Sequence, residues 1–227
     1  MIVWGKNVFN ELDKNKIKKI YLSKKFNNEE IFNVIKNNNL KYIVTDIRIM
    51  DKMAKNHQGI IAEIYDYNYG SLNDIKSDRL VLILDHLEDP HNFGAIIRTC
   101  EARGVKNIII PKDRSVTVNE TVMKTSSGAL NHVNIIMVNN LVQAINVLKK
   151  SGFFIYAADM DGSNYQDVSY SDKVCLVIGS EGFGLSKLVK QNCDVIIKIP
   201  MKGKVNSLNA SVAAGILLFG IGDNIGV

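Results

Sequence analysis

The sequence predicts an α/β protein in three parts: a small α/β unit over 1–66, a linker over 67–78, and a larger domain over 79–227 on a mostly parallel sheet. Three observations carry this expectation. From residue 79 onward, strand-like apolar runs alternate with helix-like segments of 3.6-residue period, the rhythm of repeated βαβ units. Residues 80–84 (L-V-L-I-L) are apolar at every position, as a strand covered on both faces requires. Between the two units, residues 66–78 (D-Y-N-Y-G-S-L-N-D-I-K-S-D) lose periodicity and include Gly and Ser, as linkers do.

In the front unit a short helix is expected over 5–12 and a strand over 18–22 (K-K-I-Y-L). The spacing of Ile31, Phe32, Val34 and Ile35 predicts a helix over 28–38, followed by a strand over 42–45. Asp46 can cap a helix through Met53, and 59–65 (G-I-I-A-E-I-Y) reads as a third strand. His57, in the H-Q-G turn, reads as a turn residue satisfied by backbone, with no acid or nucleophile near it in sequence.

In the larger domain Asn92 can cap a helix through Arg103 that stops at Gly104. Further strands are expected over 107–110, 133–138, 153–158 and 174–178, and helices over 119–125 and 141–150. The last strand, 195–199, stops at Pro200, which cannot donate to a central ladder. A basic loop with Lys202, Gly203 and Lys204 follows. Ser207 and Asn209 then open a helix so rich in Ala, Gly and Leu that most of its faces must be buried.

Composition narrows the classes. With 227 residues, 46% of them apolar, the chain can bury a large core, yet no run reaches eighteen uninterrupted apolar residues, so no membrane span is expected. The opening M-I-V-W-G-K-N lacks the charged and apolar regions of a secretory signal. Cys100, Cys175 and Cys193 form no C-x-x-C pair, so reduced thiols in a cytoplasm are expected. His57, His86, His91 and His132 lack metal-ligand spacing, and no metal is expected. The net charge of +5 is uneven, with 12 Lys/Arg against 8 Asp/Glu over 1–66 and 16 against 15 beyond. A basic front piece on a nearly neutral body suits a grip on nucleic acid; a Lys- and Asn-rich composition from genome base bias gives the same count.

Ligands of open α/β sheets sit beyond the carboxyl ends of the strands. The expected site therefore gathers three loops, 85–98, 179–185 and 199–209. No G-x-G-x-x-G follows the first strand of this domain; the Gly-rich turn comes late, at 179–184 (G-S-E-G-F-G). N-x-G-A-x-x-R (92–98), G-S-E-G-x-G-L (179–185) and I-P-M-x-G…N-S-L-N-A-S-V-A (199–213) resemble, in order and spacing, the three motifs of the SpoU or TrmH family. That family comprises S-adenosylmethionine-dependent RNA ribose 2′-O-methyltransferases. The front unit resembles the family's L30e-like substrate-binding module, so the likeness spans essentially the whole chain. It is most similar to the RlmB type, which modifies a guanosine of the large-subunit (23S) ribosomal RNA.

The resemblance implies a deep trefoil knot in the C-terminal domain and a homodimer built from the knotted domains. It implies S-adenosylmethionine bound by Gly179, Gly182, Ile199, Ser207 and Leu208, mostly through backbone. Arg98, Asn92, Glu181, Ser207 and Asn209 match the reaction-site positions. Arg98 is the family's candidate for activating the hydroxyl, and because a guanidinium stays protonated, a phosphate clamp is an equally good physical role. Asn92 would cap its helix and orient Arg98 or the ribose. Ser180 stands where Ala is common, and Lys202 and Lys204 make the last loop more basic than cofactor binding alone needs. Two other enzyme or binding classes stay open: methylation of a transfer RNA nucleotide, and a non-catalytic RNA-binding assembly protein of the same fold. A Rossmann-type oxidoreductase is disfavoured by the missing glycine fingerprint.

Overall fold

The computed structural model describes residues 1–75, 77–205 and 207–227. Lys76, in the expected linker, and Asn206, in the third motif, lie outside the described residues.

In the front unit the chain runs β1 (Ile2–Trp4), α1 (Lys6–Glu11), β2 (Ile17–Ser23), α2 (Glu29–Asn37), β3 (Tyr42–Thr45), α3 (Ile47–Met53) and β4 (Ile60–Ile64). The four strands form one sheet in the order β1-β4-β2-β3. Caps fix the helix starts: Asn28 accepts from the Ile31 N–H at 2.9 Å and Asp46 from the Arg48 N–H at 2.9 Å. α2 turns Ile31 and Ile35 into the core beneath Ile20, Leu22 and Ile60. His57 is satisfied by backbone, as its turn position suggested, and it has in addition an acidic partner that the sequence reading did not assign. Its ring is buried, accepts from the Gly59 N–H at 2.9 Å, and meets Asp51 at 3.1 Å through the other nitrogen. α3 brings that aspartate round from six residues upstream.

The larger domain runs β5 (Leu80–Asp85), α4 (Pro90–Ala102), β6 (Asn107–Pro111), α5 (Glu120–Thr125), β7 (Asn134–Val138), α6 (Leu141–Lys150), β8 (Phe154–Asn164), β9 (Val174–Gly179), α7 (Lys187–Gln191), β10 (Val195–Lys198) and α8 (Ala210–Ile225). Its six strands lie in the order β10-β8-β9-β5-β6-β7, with every pairing parallel. The unbroken apolar run of β5 has a direct cause. Leu80, Leu82 and Leu84 pack with α4, α5 and α8 on one face, through Phe93, Ile97, Val122 and Leu217. Val81 and Ile83 pack with α6 and α7 on the other, through Leu141, Ile145 and Val189. The small residues of α8 seat neighbouring side chains: a Cβ on Gly220 would lie 2.5 Å from the Tyr165 ring, and one on Gly222 would lie 2.2 Å from the Arg103 guanidinium.

Three details depart from expectation. Asp89, not Asn92, caps α4, with Pro90 in the first turn and the Asp89 carboxylate accepting from the His91 N–H at 2.9 Å. The helix thus begins early enough to free the Asn92 side chain. The segment expected as a linker is packed down: the Tyr67 hydroxyl accepts from the Ile135 N–H at 3.1 Å, the Tyr69 hydroxyl accepts from the Val118 N–H at 3.0 Å, and the Gly70 N–H donates to the Ile135 carbonyl at 2.8 Å. Two tyrosines supply both apolar area and a polar end, which spacing alone does not reveal. Finally, β8 is longer than expected and irregular. Ala157 pairs with Ile196 and Ser163 with Ile197, so residues 158–162 leave the ladder altogether.

Among the described residues, no helix is long and apolar enough to cross a membrane, and no cluster of three metal-ligating side chains occurs. The three cysteines are free thiols. Burial pushes the Cys100 and Cys175 thiols up and holds Cys193 at about 12.

Candidate active site

The carboxyl ends of β5 and β9 lie side by side, with Asp85 opposite Gly179. Asp85 is 1% exposed, and both its oxygens are engaged. One meets His86 Nδ1 at 2.6 Å, and the other accepts from the Ser186 N–H at 2.6 Å. A buried carboxylate thus ties the loop after β9 to the end of β5. Sequence reasoning placed Asp85 merely in a loop. The available signal was an acid immediately after a fully apolar strand, a position deep enough to demand partners.

Above this tie, residues 180–184 close a tight turn: the Ser180 N–H donates to the Gly184 carbonyl at 3.1 Å and the Gly184 N–H to the Ser180 carbonyl at 2.9 Å. Gly179 sits directly under it. A Cβ at 179 would fall 2.2 Å from the Gly184 carbonyl carbon and 2.5 Å from the Leu185 nitrogen. Here glycine is required by the chain's own turn, a reason distinct from approach to a ligand. Gly182 lies at the open tip, where an added Cβ would meet nothing within 4 Å.

The turn presents Glu181 to Asn92 on α4. Asn92 Nδ2 donates to Glu181 Oε1, and Asn92 Oδ1 accepts from Asn209 Nδ2 at 3.0 Å. Asn209 Oδ1 in turn caps α8, accepting from the Ser211 N–H at 2.9 Å and the Ser211 hydroxyl at 2.6 Å. The cap fixes which way the Asn209 amide faces, which fixes Asn92, which aims a donor at Glu181. Three sequence-predicted residues from three motifs therefore form one polarised relay across 117 residues of chain separation. Arg98 is not part of it. It lies exposed on α4, six residues beyond Asn92, whose side-chain hydrogen bonds go to Glu181 and Asn209. Of the two roles expected for Asn92, orienting Arg98 or the ribose, the first has no hydrogen bond among the described residues.

Ser207, Leu208 and Ile199 line a neighbouring cavity of about 540 Å³ beyond the ends of β8 and β10. The 158–162 excursion forms one wall, through Ala158, Asp159 and Met160; the basic loop, through Gly203 and Lys204, forms another. Gly162 closes the excursion against β10, where a Cβ would lie 2.6 Å from the Ile196 backbone. Lys190 of α7 holds the wall by reaching Asp159 at 2.9 Å and Asp161 at 3.3 Å. Burial raises the Asp159 carboxyl, but hydrogen bonds from Lys190 and from the Asp161 and Met160 backbone, with the Lys190 charge, outweigh it and leave Asp159 below its ordinary range. Sequence reasoning missed this wall; a D-x-D-G step inside an otherwise strand-like run was the one signal. Gly179 and Gly182 do not line this cavity.

Two family models match. The model described as the SpoU rRNA Methylase family covers residues 79–219, and the model for RNA 2′-O ribose methyltransferase substrate binding covers 2–70. The chain belongs to the SpoU methylase family. Among its relatives, a Staphylococcus haemolyticus protein named as a TrmH family tRNA/rRNA methyltransferase is 42% identical over 215 residues, covering 89% of this chain and 86% of the other. The SpoU methyltransferase AviRb from Streptomyces viridochromogenes, solved with AdoMet, shares the fold at TM-score 0.85 and 19% identity, over 97% of this chain and 88% of that one. The solved A. aeolicus TrmH/SpoU tRNA modifying enzyme is 33% identical at TM-score 0.59, over 66% of this chain and 76% of that one. The relay and the cavity both fall inside the region matched by the SpoU methylase model.

Proposed function

We propose that the protein transfers a methyl group from S-adenosylmethionine to the ribose 2′-hydroxyl of a guanosine in 23S ribosomal RNA. The observation that carries this reading is the Glu181–Asn92–Asn209 relay beside a cavity of cofactor size. The cavity fits the cofactor: Ile197, Ile199, Leu208 and Leu217 offer apolar walls, and Ser207, Asp159 and adjoining main chain offer polar contacts. When bound, S-adenosylmethionine supplies a methyl group activated on a sulfonium. Ile199, Ser207 and Leu208 would hold it, with Gly179 shaping the turn beside it.

The remaining work falls to the chain's own groups. Glu181, steadied by Asn92 and Asn209, orients the ribose. Arg98 is exposed and, among the described residues, makes no ion pair, which leaves its guanidinium available to a substrate phosphate. A group that stays protonated clamps that phosphate and offsets the charge developing on the hydroxyl oxygen, rather than taking its proton. The basic front domain, matched by the substrate-binding model, supports an RNA partner.

The reading includes a cytoplasmic homodimer with knotted catalytic domains. Membership of the SpoU methylase family supports the threading. On α8, Val212 (49% exposed) and Phe219 (43%) stand seven residues apart on one face, an apolar stripe suited to a second copy. The test offers unmodified 23S ribosomal RNA and transfer RNA separately as methyl acceptors. Transfer to 23S RNA, abolished by Arg98→Ala with cofactor affinity retained, supports the reading. Transfer to transfer RNA alone overturns the ribosomal substrate, and tight RNA binding without transfer favours the assembly-protein reading.

A further inference from the structure

Beside the 180–184 turn, lined by none of the three relay side chains, lies a second, smaller cavity of about 250 Å³. It is lined by Asp85, His86, Glu88, Arg114, Ser180 and Phe183, with Gly184 and Ser186 completing it. Nothing in the proposed reaction uses it so far. Phe183 is 95% exposed, the most exposed large apolar side chain among those described, and it stands two residues from Glu181. A ring left so open gains nothing from burial within the chain, and its face is available to a ligand.

The lining is what a single nucleobase needs. Phe183 offers a flat π face. Arg114, exposed and held with φ at 50°, offers guanidinium donors for purine oxygen and nitrogen acceptors. Glu88 offers an acceptor for ring and exocyclic N–H groups. His86, also left-handed at φ 58°, is steered by its Nδ1 contact with Asp85, so its other nitrogen is left to the cavity. Asp85 is spent on His86 and the Ser186 N–H and acts as the floor. RNA recognition commonly uses such sites, with a splayed base stacked on an aromatic ring and read along its edges.

We infer that this cavity takes the base of the nucleotide whose ribose is methylated, stacked on Phe183 and read by Arg114 and Glu88. The inference rests on the RNA-methylation reading above and deepens it. The 180–184 turn then serves both parts of one nucleotide, the ribose through Glu181 and the base through Phe183. Guanine offers an acceptor pair, O6 and N7, to Arg114 and a donor pair, the N1 and N2 hydrogens, to Glu88, whereas cytosine offers Glu88 only its N4 hydrogens.

The test compares Phe183→Ala, Phe183→Leu and Phe183→Tyr for methyl transfer to unmodified 23S and transfer RNA, with S-adenosylmethionine affinity measured separately. Loss of one base–aromatic stack corresponds to a fall of about 10- to 100-fold in kcat/KM for Ala and Leu, with Tyr restoring most of it. Cofactor affinity should stay within about twofold. Leu performing as well as Phe would overturn stacking, and Ala performing as well would overturn the site. A second arm uses Phe183→Trp in a Trp4→Phe background, with emission followed as guanosine or cytidine monophosphate is added. Quenching by guanosine monophosphate at lower concentration supports the assignment; unchanged emission, or preference for cytidine, overturns it. If the wild-type protein methylates no RNA, the functional reading falls while this arm still decides the base site.

Discussion

Replacing Gly179 with Ala isolates the role of the 180–184 turn. The added methyl would lie 2.2 Å from the Gly184 carbonyl carbon, 2.4 Å from its oxygen and 2.5 Å from the Leu185 nitrogen. All three are backbone atoms, so no rotamer change relieves the clash and the turn itself must lift. Overpacking of this kind costs about 1–3 kcal/mol. For a chain of this length, each kcal/mol moves the melting temperature by about 2–4 °C, so a fall of about 2–12 °C is expected. Because Glu181 rides on the displaced turn, its contact with Asn92 is lost, and a misplacement of about 1 Å at a reacting centre costs on the order of 100-fold in rate. Gly182→Ala is the matched control: the same methyl two residues after Ser180 meets nothing within 4 Å and should leave the melting temperature unmoved. Calorimetry on the three proteins, with methyl transfer in parallel, reads both effects. A Gly179→Ala protein that melts with wild type would refute the packing argument, since its backbone would not be where the structure has it.

Three further outcomes follow from the same geometry. Asn92→Asp replaces the donor facing Glu181 with a second carboxylate, so methyl transfer should drop about 10- to 100-fold at neutral pH. Lowering the pH lets the pair share a proton and recovers part of the activity, whereas Asn92→Ala shows no such recovery. Lys190→Met removes the partner that lowers Asp159, so a small loss of stability is expected at neutral pH, as for solvent-screened pairs. The wild-type contribution is present above the unfolded carboxyl pKa and fades as pH falls through the depressed folded value. Chemical denaturation should therefore show the deficit at neutral pH and a shrinking one below about pH 4. Val212→Asp places an acid in the first turn of α8, where the helix dipole favours it, so folding should survive while the proposed dimer is lost; a wild-type protein that sediments as a monomer would overturn that dimer.

The sheet was legible because its strands are buried on both faces. L-V-L-I-L at 80–84 and the comparable run ending at Ile178 read as buried strands, Asp46 announces its helix by cap chemistry, and the spacing of Ile31, Phe32, Val34 and Ile35 announces α2. Short elements escaped notice. β1 has three residues with a single buried side chain, Val3, and α7 has five with a single buried side chain, Val189. Neither is long enough to show a period. The start of α4 was misplaced because two plausible caps, Asp89 and Asn92, stand three residues apart, and Pro90 decides between them. The motifs gave the site's residue types, but the partnership of Asn92 with Glu181 and Asn209 spans 89 and 117 residues, a relation set by the parallel topology. The excursion at 158–162 was invisible for the same reason: what removes it from the ladder is β10, some forty residues away in the chain.

The central claim is that the acceptor is a ribose hydroxyl. Its most direct measurement is transfer of labelled methyl from S-adenosylmethionine to unmodified 23S RNA, followed by complete alkaline hydrolysis. A methylated 2′-oxygen cannot attack the adjacent phosphate, so label should be recovered in alkali-resistant dinucleotides that begin with guanosine. Label released in mononucleotides would place the methyl group on a base and contradict the account.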